Sequence, residues 1–183
     1  MIPENIVTSV NAAFDAYYQT RSEQLDREIR MAENQLALDG LGNSTAVADR
    51  FRELYRDALR DCLSRLLTSF EQALEAYGGQ SRSQLAQPIV EVIDGFLQPI
   101  ASDFNQRLDR AASNAGVPLH KNLDDEVARL HTEAKVEVDL LLARQQLKAS
   151  AGQKRWHERP IGIILLGILV TVVGGLLLAL LAG

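Results

Sequence analysis

The sequence is poor in the residues that usually carry chemistry: among its 183 residues are one cysteine, one tryptophan and three histidines. A lone Cys62 makes neither an intramolecular disulfide nor a cysteine-based zinc site, and a reducing compartment fits that usage. With Leu59, Leu63 and Leu66 around it at helical spacing, it reads as a small core residue. His120, His131 and His157 fall far apart. No carboxylate stands three positions before His131, so the Glu-x-x-His pairs that build metal sites inside helical bundles are missing. The glycine pairs Gly78-Gly79 and Gly174-Gly175 lack the lysine of a phosphate-binding loop. No serine sits in the strand–turn–helix setting of a nucleophile elbow. Asp124 and Asp125 are adjacent carboxylates, but the opening of a helix explains them without catalysis. The residues therefore assign no catalytic group, no metal ligand and no cofactor.

Three further absences narrow the class. Alternating apolar and polar runs are missing, which leaves strands without support. A basic face is missing too: the net charge is −5, and all of it lies at or before Arg159. An acidic region of this kind lacks the counterion-release term that drives nucleic-acid binding, so no nucleic-acid partner is expected. The start, Met1-Ile2-Pro3-Glu4-Asn5, has no basic segment followed by an apolar stretch, unlike a secretory signal.

What is present is one long hydrophobic run. From Ile161 to Gly183 no side chain is charged, and only Thr171 carries a hydrogen-bonding group. As a helix, the run would span about 34 Å, enough to cross a hydrocarbon core of about 30 Å. A core helix apolar on every side and of that length would need a larger interior than the rest of the chain can build. Just upstream, Lys154, Arg155, Trp156, His157 and Arg159 place positive charge and an amphipathic ring where lipid headgroups would lie. The positive-inside rule then puts the N-terminal region in the cytoplasm as a single-pass protein. The plan resembles that of tail-anchored proteins, which implies insertion after translation. Ser150-Ala151-Gly152 followed by a hydrophobic tail also resembles a lipid-anchor attachment signal, but that route requires prior entry into the secretory pathway. Within the run, Gly167, Thr171, Gly175, Ala179 and Gly183 recur every four residues as a small-residue ridge, the pattern that lets helices pair in lipid.

The region before the anchor carries apolar residues at three- and four-residue spacing in four segments. The first runs from about Pro3 to Leu38 through Ile6, Val10, Phe14, Tyr17, Leu25, Ile29 and Leu36, interrupted by Arg21 and stopped by Gly40 and Gly42. The second starts at Ser44, the expected N-cap, and ends at Tyr77; Arg52, Arg56 and Arg60 alternate with Glu53, Asp57 and Asp61 on a face expected to be solvated. The third begins near Ser81, whose spacing to Gln84 is that of a capping box, and is closed by Gly116 and Pro118. Pro88 and Pro99 lie inside it, predicting a kink or break, with Gly95 and Pro99 as the hinge. The fourth opens at Asn122 and buries Leu123, Val127, Leu130, Ala134, Val138 and Leu141.

The expected fold is all-α: an up-down four-helix bundle over 1–147, a linker and basic juxtamembrane segment over 148–160, and a transmembrane anchor over 161–183. Helices this long invite coiled-coil pairing with other copies, so a homo-oligomer is expected, with membrane lipid and an unidentified protein as partners. The expected function is a non-enzymatic scaffold, adaptor or sensor. The alternative is a membrane-active effector that oligomerises through its transmembrane helix and perturbs the bilayer; an enzyme whose site has no motif is the third reading.

Overall fold

The computed structural model describes residues 2–76, 84–117 and 122–152, with side chains through Lys148. It contains four α-helices: α1 (Glu4–Leu38), α2 (Thr45–Ala76), α3 (Ala86–Asn114) and α4 (Asp124–Gly152). The chain divides into two compact units, Met1–Leu142 and Ala143–Gly183, the second described only over the last turns of α4.

Side-chain pairs fix the directions of the helices. On α1 and α2, Arg21 meets Asp61, and Tyr17, earlier in α1, meets Arg65, later in α2. These two helices are therefore antiparallel. On α1 and α3, Phe14 meets Phe96 and Asp26 meets Arg107, so α3 runs parallel to α1. On α3 and α4, Asn105 meets Leu123 and Asp94 meets His131, which turns α4 back again. The result is an up-down-up-down bundle. The backbone of α2 comes close to both α1 and α3, and α4 adds Leu130, Ala134 and Val138 to the same core. Accordingly, α2 supplies the largest share of the core, from Val47 to Leu74.

Two glycines end helices for a stated reason. Gly40 has φ +72° and Gly116 φ +67°, conformations in which a Cβ is strained. Each sits in a Schellman cap: Leu41 N–H donates to the Leu36 carbonyl (2.8 Å) and Gly40 N–H to Ala37, with Val117–Ala112 (3.0 Å) and Gly116–Ser113 repeating the pattern after α3.

Several local expectations change. Ser44 directly precedes α2, at the expected N-cap position; its carbonyl accepts from Val47 N–H at 3.1 Å, and its hydroxyl donates back to the Leu41 carbonyl at 2.7 Å. Helix α3 starts at Ala86, so Pro88 falls in its first turn, where a missing N–H removes no helical bond. The chain does not break at Gly95–Pro99: α3 is continuous through both. Gly95 is the residue whose carbonyl Pro99 would have served, and both are exposed, so water reaches the unserved oxygen. Helix α4 begins at Asp124 and runs on to Gly152, so the stretch read as linker from Lys148 is helical as far as it is described. The Ser81–Gln84 capping box and the end of the second segment at Tyr77 involve positions outside the described residues.

Candidate functional site

Arg21 is the charged side chain that interrupts the apolar stripe of α1, and its side chain is only 10% exposed. Burial alone would make its charge costly. Two carboxylates offset that cost: Nε donates to Asp61 Oδ2 at 3.0 Å and an Nη donates to Glu28 Oε2 at 3.2 Å. Desolvation pulls the Arg21 pKa down, but Glu28 and Asp61 together outweigh it and the net shift is upward. One helical turn away, the Arg65 guanidinium stands 5.8 Å from the centre of the Tyr17 ring.

From Arg21 towards the α1–α2 turn, an open groove of about 680 Å³ lies between the two helices. Its floor is apolar, with Ala32, Leu36 and Leu54, and its edges carry Glu28, Arg50 and Asp57, with Met31 70% exposed. Mixed charge on the rim selects neither anions nor cations.

The second feature lies on the α3–α4 side. His131 Nδ1 is 2.8 Å from Asp94 Oδ1, above an open pocket of about 480 Å³ that Gln98, Asp124, Val127 and Ala128 complete. A carboxylate holding an imidazole nitrogen is half of an acid–base relay, yet this lining carries no hydroxyl or thiol to activate. Its evident effect is to tie α4 to α3. Nearby, Asn105 reaches from α3 to the start of α4: its Oδ1 accepts from Leu123 N–H at 2.9 Å and its Nδ2 donates to Asp124 Oδ1 at 3.1 Å. Asn122 also bonds Asp124 through its side-chain amide. Asp124 thus serves the helix N-terminus, and on α2 Arg60 reaches Glu126 of the same turn at 3.0 Å.

Cys62 lies in the core, 1% exposed, and burial pushes its thiol up to about 12. A thiol held neutral in this way is a poor nucleophile. Among the described residues no cluster of three or more His, Cys, Asp or Glu side chains is placed to hold a metal ion.

The residues singled out from sequence divide sharply. Gly95 and Pro99 lie on the exposed side of α3. The interface set Lys154, Arg155, Trp156, His157 and Arg159, the ridge Gly167, Thr171, Gly175, Ala179 and Gly183, and His120 all lie outside the described residues. Among the described residues no helix is long and apolar enough to cross a membrane. The Asp94–His131 and Asn105–Leu123 ties had no sequence signal, because their partners lie 37 and 18 positions apart with no motif linking them. No family model, no curated protein and no solved structure matches the chain.

Proposed function

We propose that the protein is a membrane-tethered helical module, in which the bundle is a non-enzymatic scaffold, adaptor or sensor held at a bilayer by residues 161–183. The observation that carries this reading is the charge-free run Ile161–Gly183 directly preceded by Lys154, Arg155, Trp156 and Arg159. The helical course of α4 as far as Gly152 is compatible with it, since only 153–160 then separate the last helix from the run. Basic residues on the bundle side of the run favour a cytoplasmic bundle. The ties that lock α4 to α2 and α3 suit a rigid module that presents its outside to a protein partner.

Protease treatment of sealed membranes from cells making an N-terminally tagged chain tests the reading. The tag is expected to be digested without detergent while a small fragment containing 161–183 survives. A tag protected until detergent is added, or a chain that stays in the soluble fraction, would overturn the proposed arrangement.

A further inference from the structure

Helix α4 is apolar on two faces. Its inner face, with Leu130, Ala134 and Val138, belongs to the core. At 100° per residue, Val136, Leu140, Ala143 and Leu147 fall on the roughly opposite face, and Val136, Leu140 and Leu147 are 55%, 45% and 69% exposed. Their spacing of four, three and four residues is that of the d, a, d and a positions of a coiled-coil seam. In that register Asp139 takes a g position and Arg144 the next e position, and both are exposed. In a parallel pair of identical helices, g of one chain meets the following e of the other, so Asp139 would face Arg144 of a second copy twice over, once on each side of the seam.

From this complementarity we propose that the outer face of α4 is a self-association surface, and that its occupant is a second copy of the chain in parallel orientation. The inference rests on the membrane-tethered reading in one respect: two chains anchored in one bilayer point the same way, which selects the parallel register and raises the local concentration enough for a two-heptad seam to close. The surface is distinct from the small-residue ridge at 167–183. A heterologous partner is less well matched, because the same helix supplies both members of the charge pair.

The test is oxidative crosslinking of the full chain in membranes, read alongside alkaline extraction of the same sample. Leu140→Cys is expected to give a disulfide-linked dimer and Lys135→Cys, on another face, to give little; Cys62 is too buried to contribute. Adding Asp139→Arg to the Leu140→Cys chain sets like charges on both sides of the seam and should lower the dimer about tenfold, and adding Arg144→Asp to that chain should restore it. Asp139 and Arg144 are exposed, so unchanged helicity by circular dichroism separates this effect from misfolding. Equal crosslinking at 135 and 140, no dimer at 140, or indifference to the charge reversal would overturn the surface while a chain resisting extraction leaves the anchor standing. A chain that washes off removes the anchor; the crosslinks in the soluble fraction then decide the seam by the same criteria.

Discussion

At the scale of residues, Arg21 shows how a charge enters a helical core. Its stem replaces an apolar side chain in the α1 stripe while its head reaches the edge of the α1–α2 seam, where Glu28 and Asp61 remain 31% and 53% exposed. Because water still reaches both carboxylates, removing the cation strands neither. Arg21→Met is therefore expected to cost about 1 kcal/mol, well below the roughly 3–5 kcal/mol seen when a fully buried pair is broken, read as a lower urea midpoint with an unchanged slope. Cys62 and Tyr55 give a pH prediction. Burial raises both, each to about 12 from ordinary values of 9.0 and 10.0. The folded state holds these protons more tightly than the unfolded state, so stability is full below pH 9 and falls as pH rises from about 9 towards 12. Urea midpoints measured across that range should decline, and Cys62→Ala should flatten the lower part of the decline. The interruption by Arg21 was legible in the α1 pattern, but its partner was not. Asp61 was read onto a solvated, alternating-charge face, and only the crossing of two helices brings it within 3.0 Å of Arg21.

At the scale of elements, the periodicity located all four helices because each buries one apolar stripe in a shared core. Helix ends were legible where glycine conformation decides them, at Gly40 and Gly116, and less so where hydroxyl or amide side chains choose among several donors and acceptors, at Ser44 and Asn122. Gly40→Ala forces a side chain into the left-handed region and should cost about 1–2 kcal/mol by urea denaturation. Gly95 points the other way: it is helical, exposed and has open space where a Cβ would sit. Gly95→Ala should stabilise α3 by about 1 kcal/mol, measured as a higher thermal midpoint; a destabilised variant would mean that the segment Gly95–Pro99 needs a bent backbone that alanine resists. The second apolar face of α4 escaped the sequence reading for a physical reason. Apolar residues on opposite sides of one helix cancel in any search for a single stripe, and only the exposure of Val136 and Leu140 shows which of the two is left outside the core.

At the scale of the whole molecule, antiparallel succession follows from short connections between long amphipathic helices, and the cross-helix pairs confirm it element by element. The candidate site was far less legible than the fold. Stripes of apolar residues are local and periodic, whereas Asp94–His131, Asn105–Leu123 and Arg60–Glu126 join positions with no common motif, and the residues on which the functional expectation rests lie in 154–183, outside the described residues. The central claim is that 161–183 hold the bundle to a bilayer. Alkaline extraction of membranes carrying the full chain, beside a chain ending at residue 160, tests it most directly: the account predicts that the full chain stays with the lipid pellet and the shortened chain appears in the supernatant, whereas a full chain released by alkali, or a shortened chain retained equally well, would contradict it.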